Sequence, residues 1–222
     1  KILGYILNMA PIGVFCMLCP VVASSGPQVV GSYASLIGAD YLCFLIHALI
    51  IYTPSVYFLG GMNPLKFFQK MTTAMMFAFS SASSVATIPY NVESTKKMGV
   101  REEISNFILP LGATINMDGT AIYLGVTSVF IATCCGMDLS MHQYIAIALS
   151  STIASIGVPG VPGGALALMA MVFASAGIPI EGVAVAAGVD RLVDMGRTTM
   201  SITGDASCAV VMQRFSKGIF KD

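Results

Sequence analysis

Tryptophan is absent from the 222 residues, histidine occurs twice, and charged side chains make up only 10% of the chain. Each scarcity excludes something. A soluble domain carries about 25% charged residues, and at 10% a water-soluble fold would expose large apolar patches. The eleven Lys and Arg balance eleven Asp and Glu, so nothing points to a nucleic-acid partner. His47 and His142 stand far apart in the sequence, which argues against a histidine-based metal centre or catalytic dyad. Without Trp, an interfacial aromatic belt has to rely on Tyr. The six cysteines, Cys16, Cys19, Cys43, Cys134, Cys135 and Cys208, sit in apolar runs. Cys16 and Cys19 have C-x-x-C spacing, but no nearby His or further Cys completes a zinc site. Unpaired structural thiols are expected.

What is present is apolar surface. Hydrophobic residues make up 56% of the chain, and the mean hydropathy is +0.83. Fifteen Met and 22 Gly suit tightly packed membrane helices, where small residues let backbones approach. An all-α integral membrane protein is predicted. Lys1 already lies inside a hydrophobic pattern with no cleavage-site signature, so the N-terminal part of a longer protein is expected to be missing.

Spans and broken spans alternate. Residues 2–23 and 33–60 are each long enough to cross a bilayer, for which about 20 residues suffice. Residues 65–100 divide into two short apolar halves around "SSASSVATIP", closed by Pro89. Residues 104–136 are long enough to span, but "GATINMDGT" interrupts them with Gly112, Asn116, Asp118 and Gly119. Residues 141–177 repeat the hairpin logic around "SIGVPGVPGG", where Pro159 and Pro162 cannot continue a helix. Two short arms with a polar or Gly/Pro tip suggest re-entrant hairpins, which persist only where protein or a water-filled cavity surrounds them. An ordinary loop between two helices is the plain alternative for each. The order hairpin, helix, hairpin, helix points to a transporter repeat with a midplane site.

The last segment, 183–217, carries charge into this apolar setting. "GVDRLVDMGRTTMSITGDASCAVVM" (188–212) reads as one helix holding Asp190, Arg191, Asp194, Arg197 and Asp205. A charge at a bilayer centre costs roughly 3 kcal/mol or more. At about 100° per residue, Asp190, Asp194, Arg197, Thr198, Ser201 and Asp205 form one stripe. An interfacial amphipathic helix would instead carry an excess of Lys and Arg. The acidic surplus of Asp118, Asp190, Asp194 and Asp205 over Arg191 and Arg197 asks for bound cations. Arg191 lies within reach of Asp190 or Asp194; lipid headgroups or water are its other destination. An ion channel would show a continuous pore-lining stripe. An enzyme would show a nucleophile–base pair, and Ser84 has no His at a predictable distance.

"SSVATIP", "LPLGATINMDGTAIY", "IASIGVPGVPGGAL" and "VDRLVDMGRTTMSITGD" occur in that order, with "APIGVF" near the start. With these motifs the chain resembles the sodium-coupled glutamate/aspartate transporters, or dicarboxylate/amino acid:cation symporters. It is similar to the later part of that family. The resemblance implies an elevator-type transporter with two re-entrant helical hairpins and broken transmembrane helices. It implies a scaffold helix in 1–25, a transport domain in 33–222, a homotrimer and a multi-pass place in the plasma membrane.

By the same resemblance, Asp194 would bind the substrate ammonium, Arg197 a side-chain carboxylate beside Thr120, and Thr198 would orient the amine. Ser84, Val161, Gly163 and Gly164 would contribute from the tips, and Ser201 from the last helix. One sodium would be held by Asp205 and carbonyls of Gly112, Asn116 and Ser201. A second would be held by carbonyls of Thr114, Ser155, Ile156 and Val158, and a third by Asp118 and the Asn116 side chain. The implied cargo is aspartate or glutamate with sodium. Proton coupling, a C4-dicarboxylate or a neutral amino acid are the alternatives. The chain departs from the family at Ser201, where an Asn is usual. Ala82 and Val85 interrupt the serine run, and Pro159 replaces a small residue.

Overall fold

The structure, a computed structural model, describes residues 28–216. The expected scaffold helix at 2–23, with Cys16 and Cys19, lies outside them. The described residues form α-helices and two π-helical turns, with no strand.

The first span runs from helix α1 (Gln28–His47) through two π turns, Ala48–Tyr52 and Ser55–Leu59. Pro54 stands between the turns and has no N–H to offer an α-helical ladder. Wider bonds replace it: Thr53 N donates to Ala48 O, and Gly60 N to Ser55 O at 2.9 Å. Leu42, Leu45, Leu49, Ile50 and Phe58 are exposed along this segment, as lipid contact requires. Tyr33–Leu59 is long and apolar enough to cross a membrane.

Two helical hairpins follow the sequence reading, with one correction. Helix α2 (Pro64–Ser81) starts at Asn63, whose side chain accepts from Leu65 N at 2.9 Å. It ends at Ala82, a non-glycine residue at φ 50°. Helix α3 (Ser84–Lys97) begins two residues later. The tip is therefore only Ala82–Ser83, and Pro89 lies inside α3 rather than closing the tip. Ser83 Oγ explains the early restart: it accepts from Ala86 N at 3.2 Å and caps the new helix. The second hairpin is α6 (Met141–Ser155) and α7 (Leu166–Ala176), separated by the Gly/Pro segment as expected.

Between the hairpins, α4 (Glu102–Ile115) and α5 (Asp118–Cys134) form one broken span, Glu102–Cys134. Asn116 and Met117 leave helical geometry, at ψ 76° and 48°. The single polar-striped helix expected over 183–217 is divided into a short helix α8 (Gly182–Ala187) and α9 (Asp190–Ser216), with a break at Gly188 and Val189. Helix α9 is central, packing on α1 through α5. It gives Val193 and Met200 to a core built around Tyr123, Leu124, Met169 and Phe173. It gives Ile202, Ala206 and Ala209 to a second core around Phe67, Met71 and Leu109. The polar stripe runs between two apolar bodies. Hydroxyls beside the stripe turn onto their own helix, as where Thr199 Oγ1 donates to Met195 O at 2.8 Å and Thr203 Oγ1 to Thr199 O at 2.7 Å.

Candidate functional site

Both hairpin tips meet over α9. Gly160 O on the second tip accepts from Ser83 Oγ at 3.0 Å and from Val85 N at 3.4 Å. The donors belong to the start of α3, where N–H groups lack helical partners. A Cβ at Gly160 would lie 2.9 Å from Ala113 O and 3.3 Å from Ser84 Cβ. Only glycine lets the tips approach this closely.

Under the tips, Ser84, Thr120, Val161, Asp194, Arg197, Thr198 and Ser201 line one cavity. Its free space is about 10 Å³, the room of roughly one water molecule. Arg197 Nε donates to Asp194 Oδ1 at 2.7 Å, and Nη1 lies 3.8 Å from Asp190 Oδ1. Thr198 Oγ1 donates to Asp194 Oδ1 at 3.2 Å, and Gly163 N to Asp194 Oδ2 at 3.0 Å. The guanidinium also lies 5.3 Å from the centre of the Tyr123 ring, a cation–π contact. Asp194 and Arg197 are each at least 97% enclosed, with exposures of 2% and 3%. Gly164 sits behind the tip, where an added Cβ would meet Pro159 O at 2.9 Å.

Two charged relationships stand out. Asp194 and Arg197, each expected to meet a substrate group, pair with one another in this structure. Arg191 forms no close ion pair with either aspartate, although its charge reaches Asp190. Its Nη2 donates to Ser80 O at 3.5 Å at the end of α2, and Arg197 takes Asp190 and Asp194 instead. Ser201 Oγ donates to Arg197 O at 3.1 Å, which leaves its oxygen as an acceptor toward the cavity it lines.

A second polar cluster joins the broken span to α9. Asn116 Nδ2 donates to Asp205 Oδ1 at 2.9 Å and to Ser201 O at 3.4 Å. A Cβ on Gly112 would come within 2.6 Å of Asp205 Cγ. Gly112, Asn116, Ser201 and Asp205 are thus brought together around a carboxylate that is 1% exposed. These are hard oxygen donors, the type that alkali and alkaline-earth cations prefer. Asp118 stands next to them. Its Oδ1 accepts from Gly119 N at 2.9 Å, and its Oδ2 contacts the Tyr52 hydroxyl and lies 3.2 Å from His47 Nε2. Sequence spacing gave no signal for His47 or Tyr52, because 71 and 66 residues separate them from Asp118.

The third expected set is less concentrated. Ser155, Ile156 and Val158 follow the end of α6, and Val158 N donates to Ser155 O at 3.3 Å. Thr114 is on the last turn of α4, with its hydroxyl bonded to Leu111 O at 2.9 Å. Gly160 packing on Ala113 O is what links the two segments.

Discontinuous helices around a buried charged site are the build of secondary transporters. Comparison with known proteins agrees. Residues 1–215 match the Sodium:dicarboxylate symporter family. Excitatory amino acid transporter 3 of Mus musculus is 37% identical over 220 residues, covering 98% of this chain and 42% of the relative. The proton/sodium-glutamate symport protein of Bacillus subtilis (strain 168) is 32% identical over 219 residues, covering 99% and 51%. The proton/glutamate-aspartate symporter of Escherichia coli (strain K12) is 32% identical over 215 residues, covering 97% and 49%. The chain belongs to the sodium:dicarboxylate symporter family, a family of membrane transporters rather than enzymes. It spans about half, or less, of the curated relatives it matches.

Proposed function

We propose that the protein of which this chain is part carries an acidic amino acid, aspartate or glutamate, into the cell together with sodium. The observation that carries this reading is the buried Asp194–Arg197 pair beneath two hairpin tips. An amino acid with a side-chain carboxylate can exchange that internal pair for two external ones. Its ammonium then meets Asp194, with Thr198 beside it, and its carboxylate meets the planar Arg197 fork near Thr120. Ser84, Val161, Gly163 and Gly164 offer tip backbone and hydroxyl groups to the α-carboxylate, and Ser201 lines the same cavity. The glutamate and glutamate-aspartate symporters among the relatives above support an acidic cargo.

The cation sites follow from the acidic surplus. Asp205 with Gly112, Asn116 and Ser201 holds one sodium. Asp118 with the Asn116 side chain forms another site, and Thr114, Ser155, Ile156 and Val158 supply carbonyls for a third. Each bound cation removes uncompensated negative charge from a low-dielectric region, which ties substrate binding to sodium.

The cavity is too small for an amino acid, so loading requires the 157–164 tip to move away from α3. In this reading the two hairpins are re-entrant, and residues 33–222 form a transport domain. That domain moves elevator-fashion against a trimeric scaffold that includes residues 1–25, in the plasma membrane.

The test is uptake of labelled aspartate, glutamate, serine and succinate by the full-length protein in liposomes, with and without a sodium gradient. Sodium-driven aspartate or glutamate uptake is expected. Sodium-independent uptake, or a preference for serine or succinate, would overturn the reading.

A further inference from the structure

Asp40 has no part in the site above, yet it is the most enclosed acid among the described residues, with 0% exposure. Neither carboxyl oxygen has a hydrogen-bond partner. It stands on α1, which packs on α5 and α9. From α5 the titratable group facing it is Tyr123. From α9 the charge that reaches it is that of Arg197, whose own partners are Asp190 and Asp194. On α1 itself, Tyr41 and Cys43 sense the Asp40 charge. The Tyr41 hydroxyl is occupied, donating to Leu192 O at 2.9 Å.

The surroundings share the deficit. The Thr127 hydroxyl is buried without a hydrogen-bond partner, Arg197 Nη1 has only the long 3.8 Å ion pair with Asp190 Oδ1, and the Tyr123 hydroxyl is turned to Asp190 rather than to Asp40. One guanidinium therefore serves Asp190 and Asp194 while a third carboxyl, Asp40, lies within its field. An ionised carboxylate without donors in such a place is among the costliest groups a protein can bury. A metal cation is a poor remedy beside a guanidinium. A proton is a good one, because a neutral carboxyl sheds the charge and both donates and accepts hydrogen bonds.

We propose that Asp40 is a proton-binding site of the transport cycle, filled when an acidic substrate occupies Arg197. This rests on the reading of Arg197 given above and adds a coupled ion to it. A substrate carboxylate draws on the same guanidinium charge that otherwise reaches Asp40 and adds a negative charge nearby. Ionised Asp40 is then less well compensated and takes up a proton, converting its carboxylate to the neutral acid. Linkage makes the effect reciprocal: a proton on Asp40 strengthens binding of the acidic substrate.

Full-length protein in liposomes carrying an internal pH dye tests this directly. With sodium present, adding aspartate or glutamate should acidify the lumen, and the apparent substrate affinity should fall by up to about tenfold per pH unit above the midpoint. Asp40→Asn should retain sodium-driven uptake but lose the proton signal and flatten the pH profile. Asp40→Glu should keep both and shift the midpoint, which covers the case that Asn does not fold. No acidification in the unmutated protein would overturn the proposal even with sodium-driven uptake intact. So would an unaltered pH profile in Asp40→Asn, or an unaltered midpoint in Asp40→Glu. Absence of acidic amino acid uptake altogether would instead defeat the underlying functional reading, and the proposal with it.

Discussion

Asn116 Nδ2 donates to Asp205 Oδ1 at 2.9 Å across 89 residues of sequence. The bond ties the break between α4 and α5 to the middle of α9. It also uses an amide donor on a carboxylate, leaving the rest of that carboxylate for a cation. Gly112 lies against the same group, with no room for a side chain.

Asp205→Asn is therefore expected to weaken sodium binding by about tenfold or more, the equivalent of roughly 1.4 kcal/mol. Gly112→Ala should do the same by displacing the carboxylate rather than neutralising it. Sodium titration of substrate binding reads both. Unchanged sodium dependence in Asp205→Asn would remove this residue from the cation site.

The tip latch makes a second prediction. Gly160 O receives two donors from the other tip, and its Cα faces Ala113 O and Ser84. Gly160→Ala should hold the tips apart, while Ser83→Ala removes one latch bond and the α3 cap, together about 1–3 kcal/mol. Spin labels at Val161 and on α3 are expected to show a broader, longer distance distribution in Gly160→Ala. In the unmutated protein, sodium and aspartate should narrow the distribution. Identical distributions with and without ligand would rule out a mobile gate at 157–164.

Arg191 gives the third. Its contact is the Ser80 carbonyl at the C-terminal end of α2, a helix end that favours positive charge. Arg191→Ala should cost about 0.5–1 kcal/mol of stability and leave sodium-driven aspartate uptake in place. Loss of uptake in Arg191→Ala would show that the residue serves the binding site and not only the end of α2.

The sequence was informative wherever punctuation was local. Gly and Pro at 157–164 marked the second tip, and "INMDG" marked the broken span. The period of α9 put Asp194, Arg197, Thr198 and Ser201 on one cavity. It failed where a side chain overrode the local signal. Pro89 suggested the end of a tip, but the Ser83 cap had already restarted the helix. It failed again where partners are distant. Tyr52 and His47 reach Asp118 from another helix, and nothing near Asp40 in the sequence distinguishes it from a polar residue at a helix surface. The pairing of Arg197 with Asp194 was within helical reach. In this structure the two side chains pair with one another.

That pairing carries the last prediction. Asp194 and Arg197 are three residues apart, about 4.5 Å along the helix axis, and both are buried. A ligand that separates them has to replace each partner with like charge: an ammonium for Asp194 and a carboxylate for Arg197. A neutral amino acid satisfies only Asp194 and leaves Arg197 to Asp190, whose nearest approach is 3.8 Å. A dicarboxylate without an amine sets a second anion against Asp194. Competition binding in sodium should therefore rank aspartate and glutamate above serine, alanine and succinate. Arg197→Ala should reverse the order toward neutral amino acids. It should also destabilise the fold by about 3–5 kcal/mol, because Asp190 and Asp194 lose their shared cation. Adding Asp190→Asn to Arg197→Ala should restore part of that stability without restoring affinity for aspartate, which separates the structural from the recognition role of the guanidinium. If serine or alanine outcompetes aspartate and glutamate on the unmutated protein, Arg197 serves the fold and not the substrate.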